Sequence, residues 1–453
     1  MRLRGQIVTT DSLQVARAGW RMSLESHRVG PVSLSERILF IDVLRGMALF
    51  GILAANMRAF VAPLDAYGDI SALFHGRADV LAQWFIDAFI QGKFITIFSF
   101  LFGMGFAIQL SRAEARGVRF LSFYPRRLLA LALFGIIHGI LIWAGDILLT
   151  YALSGAILLL FRNRRKKTLL WWAGSLLSLQ LVLPPIFLGI YLRWHPNRMV
   201  PKPPDMQKWY NVINIYSHGT ARQILAQNWV EWKHSLPTQF FAILATALFL
   251  LGMCVWRSGL IQRLEEYRPV LKKVCAWCLP IGLIINLFTA TGSAIAPHYK
   301  LTAFGWLAQY LYMPGTQILA AGYMSGLALL FLNEDRRRIL TPFAAVGRTA
   351  LTNYLMQSVI CTLFFYHYTT SLFGRIGPAM ALVPTVILYS AQVVISNWWL
   401  QRYRFGPMEW LWRGMTYGKF PAMRKDEPGP LAEPLPIPLP ALAAEPSKSD
   451  EIA

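Results

Sequence analysis

Between residues 38 and 401 the chain alternates long apolar runs with short clusters of arginine and lysine. A helix needs roughly 20 apolar residues to cross about 30 Å of hydrocarbon. Runs at 38–58, 80–110, 126–143, 146–161, 168–192, 237–256, 274–296, 303–332, 342–367 and 379–401 meet or approach that length. The pattern predicts an all-α, polytopic membrane protein with about ten transmembrane helices. The second run is long enough to be broken or tilted, and Gly92 and Lys93 lie inside it. The fifth carries the pair Pro184–Pro185, where a kink is expected. The longest connection, 193–236, is rich in Trp, Tyr and Pro, as expected of a segment that lies in the interface or caps a cavity.

Charge fixes the orientation. Of the 44 Lys and Arg residues, 31 fall in the N-terminal segment, in every second connection (111–127, 162–167, 257–273, 333–340) and in the segment after 401. The positive-inside rule then places both termini in the cytoplasm. Three regions follow: a basic N-terminal tail (1–36), a transmembrane domain (37–413) and a proline-rich tail (414–453) expected to be extended and disordered. Residues 1–36 lack the apolar core of a cleavable secretory signal, and Met22 also precedes every apolar run, so the start residue stays open.

Composition agrees with lipid as the main solvent. Of 453 residues 55% are hydrophobic and only 15% charged, against about 25% in globular domains. The net charge of +21 raises nucleic acid as a partner. The basic residues sit between apolar runs and form no basic face, so no nucleic-acid partner is expected. Cys254, Cys275, Cys278 and Cys361 all lie in apolar runs. Cys275 and Cys278 have C-x-x-C spacing, but no second pair or histidines accompany them, so helix packing is expected and no metal site.

The candidate chemistry lies in groups that lipid does not tolerate. His138 and Asp146 share the hairpin 127–155 with the small residues Gly135, Gly139 and Gly145. An ionisable group near mid-bilayer costs roughly 2.5–3.5 kcal/mol and is by default functional or partnered. His138 reads either as a helix–helix hydrogen bond or as a general base or nucleophile. Eight residues of continuous helix are about 12 Å, so Asp146 is expected to cap the following helix and not to orient His138 unless the corner at Gly145 folds back sharply. Asp42 and Arg45 are three apart and can neutralise each other, or leave an arginine edge for an anion. Lys93, with Asp87 and Gln91 nearby, reads as an internal ion pair or a ligand contact. Arg126 and Arg127 can snorkel to headgroups, or Arg127 can line a cavity mouth. Arg348, Thr352, Asn353, Tyr354, Gln357 and Ser358 make the first half of the ninth run polar, which requires neighbouring helices or a wet cavity. Glu409 and Arg413 are four apart in a segment whose Trp410 and Trp412 suit an interfacial anchor.

Five segments carry a family resemblance: IDVLRGMALFGILAANM, GKFITIFSFLFGMGFAI, RRLLALALFGIIHGILIWAGDILLTYALSG, AVGRTALTNYLMQS and FGPMEWLWR. Together they resemble the YeiB family of bacterial polytopic membrane proteins, from about Arg37 to Arg413. That family is grouped by distant similarity with transmembrane acyltransferases, including bacterial O-acyltransferases of envelope glycans and the lysosomal heparan glucosaminide N-acetyltransferase. The resemblance implies a bacterial cytoplasmic (inner) membrane location and no bound cofactor. It also implies acyl-CoA as co-substrate and an envelope glycan, lipid or small-molecule acceptor on the outer side. For that reaction class the depth and chemistry of the residues make His138 and Asp146 the candidate catalytic pair, with Asp42, Arg45, Lys93, Arg127, Tyr151, Arg348, Asn353, Tyr354 and Gln357 as candidate substrate-binding residues. A transporter or flippase for a small or lipid-linked solute could use the same groups and stays open. A scaffold without chemistry does not account for so many mid-span ionisable groups. The oligomeric state is not readable.

Overall fold

A computed structural model describes residues 38–67, 70–194, 205–241, 245–295 and 303–425. The tail 1–36, residues 195–204 of the long connection and residues 426–453 lie outside the described residues. Sixteen α-helices follow in order among the described residues: α1 (Leu39–Val61), α2 (Arg77–Phe89), α3 (Lys93–Ala115), α4 (Tyr124–Leu141), α5 (Leu148–Leu158), α6 (Lys166–Trp194), α7 (Met206–His218), α8 (Ala221–Phe241), α9 (Thr246–Arg257), α10 (Arg268–Ile295), α11 (Ala303–Phe331), α12 (Glu334–Leu340), α13 (Phe343–Arg348), α14 (Ala350–Phe365), α15 (Pro378–Arg402) and α16 (Pro407–Tyr417). No strand occurs among them beyond the single bridge Tyr403–Arg424.

The protein is an all-α polytopic membrane protein. Five stretches are long and apolar enough to cross a membrane: Leu39–Val61, Arg77–Ala115, Tyr124–Leu141, Arg268–Gly292 and Pro378–Arg402. A sixth is added if Leu307–Phe331 is joined to Glu334–Leu340, which is bent from it by 116°. Leu148–Phe161, Thr246–Arg257 and Ala350–Phe365 are apolar but shorter.

Burial sorts the helices. The apolar window of α1 is 72% buried, against 22% in α10 and 28% in α15. α1 is therefore the central post, and the apolar flanks of α10 and α15, including Ile284, Val386, Ile387 and Val394, are left for lipid. Lipid offers helices no hydrophobic reason to associate, so close backbone approach at small residues carries the packing. α1 crosses α13 in this way: a Cβ on Gly46 would fall 2.0 Å from the Phe343 carbonyl oxygen, and one on Gly347 would fall 1.9 Å from that of Asp42. The same crossing fixes Asp42, Arg45 and Arg348 side by side.

Two of the long runs are broken. The run 80–110 is two helices, α2 and α3, which meet at Gly92 in the left-handed region (φ +81°). Lys93 is the first residue of α3, which alone has 23 residues, enough to cross the hydrocarbon. The run 342–367 breaks at Thr349 into α13 and α14. The described part of the long connection forms α7 and α8, and α8 packs on α4: Asn228 donates to the Ile142 carbonyl and the Trp232 ring lies against Gly139.

Candidate active site

The hairpin α4–α5 folds back more sharply than eight residues of helix allow. α4 stops at Leu141, where the amides of Ile142 and Trp143 both turn to the His138 carbonyl. The Trp143 ring then lies over Gly145 and against Phe60, with ring centroids 4.3 Å apart. Gly135 has no side chain to block the return, since its Cβ would sit 2.7 Å from Asp146 Oδ2. Asp146 therefore reaches both partners. Its Oδ1 lies 2.9 Å from His138 Nδ1, and its Oδ2 accepts from the Leu149 amide at 3.0 Å. The expectation that Asp146 would only cap the next helix is corrected: it caps α5 and also holds the imidazole.

His138 is 1% exposed, and its other nitrogen, Nε2, is buried without a hydrogen-bond partner among the described residues. The neighbouring Tyr354 ring is 5.3 Å away, centroid to centroid, and its buried hydroxyl lies by the Ile147 backbone. A buried polar group left unpaired costs about 1–3 kcal/mol. His138 Nε2 is such a group.

Tyr354 and Ile147, but neither His138 nor Asp146, line a cavity of about 270 Å³. That is just below the roughly 300–1,000 Å³ of typical small-molecule sites. One end is basic: Arg45, Arg112, Arg127, Arg348 and Arg413 line it, with Asp42 and Glu409. The other end is apolar and aromatic, bounded by Leu49, Ile52, Ile95, Phe98, Phe102 and Tyr151. Along α3 the wall extends from Arg112 to Ile95, about 25 Å at 1.5 Å per residue. Gly105 faces this space, and a Cβ there would meet nothing within 4 Å.

The arginines are held in different ways. Arg45 donates to Asp42 at 2.9 Å. The Arg127 guanidinium lies 3.4 Å from the Trp412 ring centroid, and the Trp412 indole donates to the Arg127 carbonyl. Trp412 thus turns into the cavity wall, where an outward interfacial anchor was expected. Arg348 Nε and Nη2 are buried and have no partner among the described residues. Glu409 accepts from the Leu351 and Thr352 amides and from the Thr352 hydroxyl, which caps α14. Burial pushes its carboxyl up from the usual range, against those hydrogen bonds.

The remaining expected site residues lie elsewhere. Tyr151 lines the cavity, with its hydroxyl 2.8 Å from that of Ser99. Asn353 donates to Thr349 and Ser396, and Gln357 to Gln392, so both amides join α14 to α15 and neither lines the cavity. Lys93 does not line it either; its ammonium donates to the Asp87 carbonyl at 2.6 Å. Arg112 and Arg413 were missed as cavity residues because each sits at an apparent cytoplasmic boundary, where snorkelling is the default reading.

Three relatives align over most of this chain. The uncharacterized protein YxaH of Bacillus subtilis is 38% identical over 403 residues, 85% of this chain and 96% of the relative. The uncharacterized protein YeiB of Escherichia coli is 33% identical over 401 residues, 84% of this chain and 96% of the relative. The chain belongs to the YeiB family. An uncharacterized 39.9 kDa protein from the amylase 3′ region of Bacillus acidopullulyticus is 30% identical over 402 residues, 88% and 99% of the two chains. Residues 255–419 match the family model described as "Protein of unknown function (DUF418)". That match takes in Arg348, Tyr354 and Glu409, whereas the YeiB-family hairpin with His138 and Asp146 precedes it.

Proposed function

We propose that this YeiB-family protein is a membrane-embedded acyltransferase that uses cytosolic acyl-CoA and delivers the acyl group to an acceptor on the outer side. The observation that carries the reading is the His138–Asp146 pair with Nε2 unpaired, the imidazole lying against Tyr354, which lines an arginine-mouthed cavity. Ten crossings of a bacterial cytoplasmic membrane, with both termini in the cytoplasm, belong to the same proposal. That orientation turns the basic end of the cavity to the cytosol.

A thioester of CoA is an anionic phosphate-bearing head on an uncharged arm. Arginine's planar fork suits phosphate oxygens, and Arg348 has two unpaired nitrogens to offer. The uncharged arm and acyl group would follow the apolar wall towards Tyr354. Rotation of the Tyr354 ring would bring the thioester carbonyl to His138, with the hydroxyl donating to the oxygen as negative charge develops. His138 Nε2 takes the proton of an acceptor hydroxyl or amine while that oxygen or nitrogen attacks the carbonyl carbon. The C–S bond breaks, and the imidazolium returns the proton to the departing thiolate. The products are the acylated acceptor and free CoA. Asp146 orients the ring through Nδ1 and stabilises the imidazolium between the two transfers.

The test is thiol release from a panel of acyl-CoAs by purified protein in nanodiscs. Hydrogen bonds to a charged group are worth about 1.5–3 kcal/mol. Arg348→Ala is therefore expected to raise KM for acyl-CoA about 10- to 100-fold with little change in kcat. Solute uptake into vesicles with no thiol released would replace acyl transfer by transport.

A further inference from the structure

A second set of buried charges lies outside the cavity, where α2 breaks into α3. Arg58, at the last turn of α1, is 2% exposed, and Lys93 is fully buried. One carboxylate faces them. Arg58 Nη1 donates to Asp87 Oδ1 at 2.8 Å, and Nη2 donates to Gln91 Oε1 at 3.1 Å. The Tyr67 hydroxyl shares Gln91 Oε1 at 2.6 Å, and its ring lies 4.6 Å from the guanidinium. The Tyr312 ring of α11 closes the side next to Lys93, 5.8 Å from its ammonium.

Counting donors and charges leaves a remainder. An ammonium has three N–H groups, and that of Lys93 finds one acceptor among the described residues, the Asp87 carbonyl. Arg58 Nε is buried and finds none. With Lys93 protonated, two cations face one carboxylate and leave one positive charge in excess, in a region where an uncompensated charge is costly. The partial positive charge of the α3 N-terminus and the partial negative charge of the α2 C-terminus meet at this break and offset each other, so the excess rests on the side chains. The Asp87 side chain is 22% exposed, so the cluster is open on that side.

We propose that this break is a site for a small monoanion of carboxylate or halide size, held by Lys93 and Arg58 Nε beside Asp87. Single charge follows from the single excess positive charge, since a phosphate dianion would reverse the sign of the cluster. The site is independent of acyl transfer and is tested by binding alone.

Thermal unfolding of the purified full-length protein in neutral-lipid nanodiscs is followed against sodium acetate and sodium chloride. Ionic strength is held constant with a bulky organic anion. A ligand that binds only the folded form raises Tm saturably. The wild type is expected to saturate and Lys93→Met to lose saturation. Asp87→Asn, which adds a further net positive charge, is expected to lower the half-saturating concentration at least tenfold. A linear response shared by wild type and Lys93→Met overturns the proposal. If Lys93→Met does not accumulate, Asp87→Asn decides: tighter binding supports the site, and unchanged or weaker binding overturns it.

Discussion

His138→Ala is expected to lower acyl-CoA turnover by about 10²–10⁴-fold, the usual share of a positioned general base. The large effect follows from geometry. Nδ1 is committed to Asp146 at 2.9 Å, which leaves Nε2 as the nitrogen able to take a proton. Truncation also strips the Asp146 carboxylate of a partner in a dry site, so a lost fold could be mistaken for lost chemistry. His138→Asn separates the two. Its amide nitrogen falls near the place of Nδ1 and keeps a donor for Asp146, but it cannot accept and return a proton. The asparagine variant is therefore expected to unfold at the wild-type temperature and to show the same loss of rate. Wild-type turnover in a folded His138→Asn protein would remove His138 from the reaction.

Asp146 is expected to give the second largest effect, and a different one. Asp146→Ala leaves both the His138 Nδ1–H and the Leu149 amide unpaired, at a cost of about 1–3 kcal/mol for each buried group. A clear fall in Tm is expected in addition to slow turnover. Asp146→Asn keeps the shape but offers the imidazole an amide, whose NH₂ can favour the wrong tautomer. In the serine-protease triad the equivalent change lowers kcat by about 10⁴. Here it is expected to spare most of the stability while lowering turnover steeply. Because the pair acts as a unit, His138→Ala/Asp146→Ala should be no slower than His138→Ala alone. A multiplicative loss in the double variant would mean that the two residues act separately.

Much of the architecture was legible in the apolar runs because lipid enforces helix and length together. The breaks were less legible. Gly92 marked one, but nothing in residues 80–110 shows that α3 alone supplies the crossing length and leaves α2 as a separate helix. The hairpin chemistry was half legible. His138 and Asp146 stood out as ionisable groups in apolar sequence, whereas their contact depends on α4 ending at Leu141 and on Gly135 clearing the return path. Spacing along an ideal helix therefore gave the wrong separation. Asn353 and Gln357 looked equivalent to Tyr354 in sequence. Their faces on α14 differ: the amides meet Ser396 and Gln392 of α15, while the ring meets His138. Arg58 was overlooked because it sits at the edge of its apolar run, where an arginine is ordinarily assigned to the interface. Only the fold brings Asp87 against it.

The cavity joins these results, because an enclosed imidazole is useful only if the thioester can reach it. Equilibrium binding of a non-transferable acyl-CoA thioether to the protein in nanodiscs tests that step before any chemistry. Wild type is measured beside Gly105→Trp, whose added ring enters open space on the cavity wall and not a packed contact. Saturable binding by the wild type, weakened at least tenfold in Gly105→Trp, is the expected result. No saturable binding by the wild type, or equal binding by both proteins, would contradict the account.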